Sequence, residues 1–66
     1  MHSYMFYRYT EGHSVPQLEI RDLGTIEDAI VVGRSLLEED RRRTLVEIVS
    51  GDVEIARLRR EHELSP

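Results

Sequence analysis

Apolar residues in the middle of the chain recur at intervals of three and four, and the segments on both sides alternate between apolar and polar residues. The helical stripe comprises Ile26, Ala29, Ile30, Gly33, Leu36 and Leu37. Thr25 precedes the stripe and is a good N-cap residue, because its hydroxyl can accept a hydrogen bond from a first-turn amide. Asp28 adds a carboxylate that opposes the positive end of the helix. The pattern therefore predicts a helix from about Thr25 to Arg42.

The alternating segments predict four β-strands, two before the helix and two after it. The first strand is rich in aromatic residues, which favour strands. Gly12 and Gly51 lie in the two turns between paired strands, where glycine is free to take a positive φ angle. The predicted strands span residues 3–10, 17–22, 44–49 and 53–59.

The fourth strand has a second possible assignment. Its apolar residues change parity between Ile55 and Ala56, so a strand requires a β-bulge near these residues. Residues 53–64 are also rich in good helix formers and would suit a second helix. We favour the strand, because the β-rich run before Gly51 needs a partner, and a hairpin supplies one at low loop-closure entropy.

These elements give the order ββαββ and predict an α+β fold. We expect a four-stranded antiparallel sheet of spatial order 2-1-3-4, with one helix packed on one face. The chain has 66 residues, which we interpret as a single domain over residues 1–59 and a frayed, charged tail over 60–66. A domain of this size buries only about 60% of the surface of its unfolded chain. Association with a second copy would therefore add useful burial.

A single helix covers one face of the sheet and leaves the other face open. The residues expected to face the helix are Phe6, Leu18, Ile20, Val46 and Ile48. The apolar and aromatic residues expected on the outer face are Met5, Tyr7, Tyr9, Leu45 and Val49, with Leu58 as a further candidate. The polar residues expected around them are Glu19, Arg21 and Glu47. Such a patch is typical of a protein interface and predicts a homodimer, although another protein partner would also suit it. Val31, on the far side of the helix, is a second contact candidate.

The charged residues have two interpretations. The chain has a net charge of −4, and all 9 of its basic residues are arginines. A negative net charge disfavours nonspecific binding to nucleic acid. At helical spacing Glu38 would pair with Arg42 and Glu39 with Arg43, which is typical of a solvated helix end. The alternative is a basic edge for nucleic acid, phosphate or an acidic partner, formed by Arg41, Arg42, Arg43, Arg57, Arg59 and Arg60.

The sequence contains no recognisable catalytic, cofactor-binding or metal-binding motif. It has no cysteine, and its 3 histidines lack the spacing of metal ligands. The serines and glycines match neither a nucleophile motif nor a phosphate-binding loop. We therefore expect a protein that is not an enzyme and needs no cofactor or metal. The absence of a long apolar run and of a signal peptide predicts no membrane association and a cytoplasmic location.

Three segments give the chain a resemblance to a group of small bacterial ββαββ proteins of unknown function. These are the aromatic strand at 4–7, the acidic helix start Glu27-Asp28-Ala29, and the hairpin at 46–58. The chain differs from the group at Val49, where an aromatic residue is frequent, and in the arginine run at 41–43. The resemblance implies the fold and implies no activity.

A shorter segment, residues 22–29, resembles antitoxin-type domains in which a hairpin leads into a helix with an acidic start. It implies a nucleic-acid-binding or antitoxin-like regulator as the alternative to an interaction module that self-associates. A third hypothesis is a subunit whose active site forms only in an assembly. We favour the interaction module, because its predicted contact surface is apolar while the chain as a whole is acidic.

Overall fold

A computed structural model describes residues 2–60 as one four-stranded antiparallel sheet with one helix. The elements are β1 (His2–Thr10), β2 (Gln17–Leu23), α1 (Ile26–Glu39), β3 (Arg43–Ser50) and β4 (Val53–Arg59). The strands lie in the order β2-β1-β3-β4. The predicted α+β fold, the ββαββ order and the sheet order are confirmed. The last strand is β4, so the second-helix alternative is wrong for residues 53–59, and residues 61–66 of the predicted tail lie outside the described residues.

The N-terminus of α1 has the predicted cap. Thr25 is extended, with φ −138° and ψ 163°, and its Oγ1 accepts a hydrogen bond of 3.1 Å from the backbone N–H of Asp28. Glu27 and Asp28 place two carboxylates in the first turn, where they oppose the positive end of the helix. The start of α1 is therefore determined by residues within four positions of one another.

The helix ends at Glu39, three residues before the predicted end at Arg42. Asp40 is extended, and its Oδ1 accepts a hydrogen bond of 2.9 Å from the backbone N–H of Arg42. Such a side-chain-to-backbone bond competes with the helix and turns the chain toward β3. The predicted helical pair between Glu38 and Arg42 is therefore wrong, because Arg42 lies beyond the helix and has its Nε 3.6 Å from Asp40. The expected contact of Glu39 with Arg43 does form, at 3.4 Å.

The hydrophobic core lies between α1 and the sheet. Its buried residues are Tyr4, Phe6, Ala29, Leu36, Leu37, Val46 and Ile48. The helix lies mainly over β3. At Gly33 a Cβ atom would lie 2.9 Å from the Cδ1 atoms of both Ile48 and Leu58, so a larger residue would require these side chains or the helix to shift. Gly33 therefore lies where α1 packs closely on the side chains of the sheet.

The predicted bulge in the fourth strand is confirmed. Ile48 pairs with Ala56 and Val49 pairs with Glu54, which leaves Ile55 as the extra residue of β4. Because of this bulge, Ile55 and Ala56 both pack against the core although they are adjacent in the strand.

The predicted orientation of β2 is wrong. Leu18 lies opposite Tyr7, and Ile20 lies opposite Met5. Directly opposite residues of an antiparallel pair point to the same face, so Leu18 and Ile20 lie on the outer face of the sheet. Their orientation depends on the loop between β1 and β2, and the alternation within β2 alone does not determine it.

Glu19 and Arg21 consequently lie on the helix side of the sheet, rather than on the outer face where they were expected. They are opposite Phe6 and Tyr4, respectively. Polar residues are tolerated here because α1 is centred on β3 and leaves the helix side of β2 open to solvent. Leu58 also lies on the helix side, where it packs against the core, so it is not a member of the outer face.

Candidate protein interface

The candidate interface is the outer face, which we define as the side of the sheet opposite α1. The register of the strands makes its apolar residues neighbours: Ile20, Met5 and Val49 form one row across three strands. The complete apolar set is Met5, Tyr7, Tyr9, Leu18, Ile20, Leu45 and Val49. All five residues predicted for the interface belong to it. Leu18 and Ile20 were missed, because sequence reasoning placed them on the opposite face.

These apolar side chains remain accessible to solvent in the single chain. Ile20 is 61% exposed and Leu18 is 49% exposed, although both are large aliphatic residues. The five residues on β1 and β3 are half-buried, because neighbouring strands flank them. Exposed apolar residues that are contiguous mark interaction surfaces more often than isolated ones do.

A polar network crosses the outer face from Tyr9 on β1, through Glu47 on β3, to β4. The Tyr9 hydroxyl donates a hydrogen bond of 2.6 Å to Oε1 of Glu47. The second oxygen of Glu47 lies 3.2 Å from Nη2 of Arg57, whose Nε donates to Glu54 at 3.2 Å. The hydrogen bond to Glu47, followed by desolvation, raises the pKa of the Tyr9 hydroxyl. The hydrogen bond to Glu54 and the charges of both carboxylates raise the pKa of Arg57.

This network holds the polar side chains in fixed positions beside the apolar residues. A surface with pre-ordered polar groups loses less conformational entropy when a partner covers it. The charged residues of the outer face are Asp22, Glu47, Glu54, Arg57 and Arg59. Three acids and two arginines leave a formal charge of −1, whereas the whole chain carries −4. The outer face is therefore apolar mainly on β1 and β2, and its net charge is small.

Two of the arginines expected in a basic edge instead hold the C-terminal end of α1. Nη1 of Arg43 donates to the backbone oxygen of Leu36, and Nη2 of Arg60 donates to those of Leu37 and Asp40, the last at 2.8 Å. Backbone oxygens at a helix end have no partner within the helix, and a guanidinium supplies one. Arg60, expected at the start of the frayed tail, thus ties the end of β4 to α1. The sequence does contain a signal for this role. Neither a glycine nor a basic residue caps the C-terminal end of α1, so its backbone oxygens need donors from elsewhere in the chain.

The other four arginines are dispersed. Arg57 and Arg59 lie on the outer face, on β4. Arg41 and Arg42 follow α1, and Arg42 contacts Asp40. Four of the six arginines of the hypothetical basic edge therefore already contact a carboxylate or a backbone oxygen.

Two open grooves flank the helix. One, of about 220 Å³, is lined by Arg34, Leu37, Glu38, Arg59 and Arg60. The other, of about 280 Å³, is lined by His2, Tyr4, Gly24, Thr25, Ile26, Ser50 and Ile55. Across residues 2–60, no three His, Asp or Glu side chains cluster as metal ligands would. In the same range, α1 is too short and too polar to cross a membrane.

Comparison with protein-family models, with curated proteins and with solved structures gave no significant match. The resemblances noted in the sequence therefore remain resemblances of pattern.

Proposed function

We propose that this chain is a non-catalytic protein-protein interaction module that forms a homodimer through its outer face. The observation that carries the proposal is the contiguous set of seven apolar residues on a sheet face that no described element covers. A helix covers the other face and provides the core. The outer face is thus an apolar surface that folding leaves in contact with water.

The size of the outer face supports a sheet-on-sheet contact. Four strands at about 4.8 Å spacing and seven residues at about 3.3 Å give a face of roughly 19 by 23 Å. Its projected area is about 440 Å², and projecting side chains make the accessible area larger. Two copies therefore bury close to the roughly 1,000 Å² that a specific interface needs.

The charge of the outer face supports a second copy as the partner. A two-fold contact brings the same surface together twice, so any net charge on it is opposed by itself. The formal charge of −1 on the outer face keeps this repulsion small. Face-to-face contact also provides burial that a core of seven buried residues does not supply alone.

The test compares two substitutions that introduce the same charge. Tyr7→Glu places a carboxylate at the centre of the outer face, where a partner's sheet would have to bury it. Val31→Glu places one on the exposed side of α1, where Val31 is 65% exposed. We expect the first variant to halve the mass of the assembly in analytical ultracentrifugation, and the second to leave it unchanged.

Circular dichroism checks that both variants keep their secondary structure. If wild-type and Tyr7→Glu chains sediment alike at every concentration, the outer face is not the contact surface. If Val31→Glu dissociates the assembly and Tyr7→Glu does not, the contact lies on the helix side. No contact of the six arginines favours the nucleic-acid alternative, so we do not propose a second function.

A further inference from the structure

The far edge of β2 is an unpaired strand edge. On its near side, β1 pairs with β2 over seven residues without a shift of register, from Arg8–Gln17 to His2–Leu23. Within residues 2–60, no strand pairs with the far side of β2. The unpaired backbone N–H and C=O groups along such an edge are a template for another strand.

We propose that β2 pairs in an antiparallel manner with β2 of a second copy, in a register centred on Ile20. A two-fold axis between the two Ile20 residues sets Glu19 of each chain opposite Arg21 of the other chain. Gln17 then lies opposite Leu23, so all seven residues of β2 are paired. This contact lies at the edge of the sheet and does not depend on the face-to-face contact proposed above.

The charges of β2 select this register. Moving the two-fold axis from Ile20 to Glu19 sets the two copies of Glu19 opposite each other. Moving it to Arg21 sets the two copies of Arg21 opposite each other. Like charges directly opposite each other destabilise a strand pair, whereas opposite charges stabilise it. Only the register centred on Ile20 pairs the full strand and sets Glu19 opposite Arg21 on both sides of the axis. The other acid of β2, Asp22, then lies opposite Leu18.

The surroundings of β2 leave room for the second strand. The helix lies mainly over β3, so the helix side of β2 is open. Glu19 already contacts Arg21 and lies 3.6 Å from Nη1 of Arg8, so these charged groups are gathered on that side. On the outer side, the pairing brings together two copies of Ile20, which is 61% exposed in the single chain. Edge pairing therefore accounts for an exposed isoleucine between two opposite charges.

The opposite edge of the sheet lacks this self-complementarity. Ile55 forms a bulge that interrupts the ladder of β4. The regular part of β4, Ala56–Arg59, contains two arginines and no acidic residue. Two copies of this segment cannot bring an acid opposite a base, so the proposal is specific to β2.

Cysteine cross-linking tests the register directly, because the chain has no cysteine of its own. In Ile20→Cys the two thiols come from opposite residues, with Cα atoms about 4.5–5.5 Å apart, which suits a disulfide. Leu18→Cys is the matched control, because the two copies of residue 18 are separated by four residues, or about 13 Å, along the pair. We expect mild oxidation to convert most of Ile20→Cys, and little of Leu18→Cys, to a covalent dimer. Equal cross-linking of the two variants, or none in either, overturns the proposed register.

Charge reversal provides a second test. Glu19→Arg sets arginine opposite Arg21, and Arg21→Glu sets glutamate opposite Glu19, so each variant alone is expected to lose the edge contact. An equal mixture restores it, because every opposite pair in the mixed dimer is then an acid with a base. Sedimentation measures the mass, and circular dichroism confirms the fold. A mixture that stays dissociated, or single variants that associate like wild type, contradicts the pairing.

The Tyr7→Glu background separates this contact from the face-to-face contact. With both contacts the wild-type chain is a tetramer, and Tyr7→Glu halves it to a dimer. A Tyr7→Glu dimer that becomes a monomer when Glu19→Arg is added supports edge pairing. A Tyr7→Glu chain that is a monomer overturns edge pairing and leaves the face-to-face contact standing. A Tyr7→Glu chain with the mass of wild type overturns the face-to-face contact instead, and the Ile20→Cys test then decides whether the edge holds the assembly.

Discussion

The two faces of the sheet carry similar amounts of apolar side chain but differ in their polar residues. On the helix side, Phe6, Val46 and Ile48 are completely buried, and Thr10 is the one buried polar residue among residues 2–60. On the outer face, half-buried tyrosines lie beside Glu47, which accepts a hydrogen bond from the Tyr9 hydroxyl and forms an ion pair with Arg57. The part of the helix side that α1 covers is a dry core, while the charged residues Arg8, Glu19 and Arg21 lie on the same side toward β2. The outer face mixes apolar residues with paired polar groups.

This difference follows from what each face must tolerate. Where α1 covers the sheet, every unpaired polar group lowers stability, so few polar residues are buried there. A face that is open in one state and covered in another must be compatible with water in the first and with a partner in the second. Tyr9, Glu47 and Arg57 meet both requirements, because their polar atoms already have partners within the chain. The contrast between the faces is itself an argument for the proposed contact.

The largest effect is expected from a comparison of two adjacent residues of β1, one on each face of the sheet. Phe6→Ala empties a fully buried site and is expected to lower the free energy of unfolding by about 3–5 kcal/mol, enough to unfold much of a domain this small. Tyr7→Ala truncates a half-buried side chain on the outer face and is expected to cost much less. Urea denaturation at low protein concentration, where association contributes little, measures both. Equal losses would show that the two faces contribute equally to the fold of the single chain.

A second prediction concerns how the helix stays on the covered face. Arg60→Met keeps the aliphatic stem but removes the donors to the backbone oxygens of Leu37 and Asp40. We expect a loss of about 1.5–3 kcal/mol in the free energy of unfolding, the range for hydrogen bonds from a charged group. Arg41→Met, in the loop after α1, is the matched control and is expected to change little. Identical denaturation midpoints for the two variants would show that the contacts of Arg60 do not stabilise the helix end.

A third prediction concerns the polar network of the outer face. The hydrogen bond to Glu47 raises the pKa of Tyr9, so the folded chain holds this proton more tightly than the unfolded chain does. The resulting stabilisation is fully present below the unfolded pKa of about 10 and is lost as the pH rises through the folded pKa. Wild type is therefore expected to be more stable than Tyr9→Phe at neutral pH, with the difference shrinking in alkali. A difference that grows with pH would contradict the assigned hydrogen bond.

The smallest expected effect lies away from both faces. The pKa of Asp40 is lowered chiefly by the backbone N–H of Arg42, with its side chain contributing less. Arg42→Ala keeps that N–H, so we expect Asp40 to titrate below its usual range still and Tm to change by less than about 3 °C. Carboxyl chemical shifts recorded against pH follow Asp40 in both proteins. A return of Asp40 to its ordinary pKa would show that the side chain dominates.

Features that depend on neighbouring residues were predictable from the sequence. Thr25 and Asp28 lie three residues apart and determine the start of α1. The parity change at Ile55 and Ala56 is visible within one strand and predicts the bulge. Both are local, so no knowledge of the remaining chain is needed to infer them.

Features that depend on distant residues were not predictable in the same way. The alternation within β2 has two possible phases, and the choice between them depends on the loop that joins it to β1 and on the position of α1. This is why Leu18 and Ile20 were assigned to the wrong face. The role of Arg60 depends on a side chain that reaches a helix end 20 residues earlier. Its sequence neighbours, which are charged, favour a solvated tail instead.

The bulge at Ile55 also limits how large an assembly of this chain can become. A sheet with two regular edges can add copies at both and grow into a fibre, which is the hazard of exposed strands rich in aromatic residues. Here the ladder is irregular along β4. In the proposed pairing, a two-fold contact occupies the edges of two β2 strands, so the edges that remain are the irregular ones of β4. The proposal therefore implies that one extra residue in the last strand limits the addition of strands, and that the aromatic strand β1 lies within a closed assembly rather than in a growing fibre.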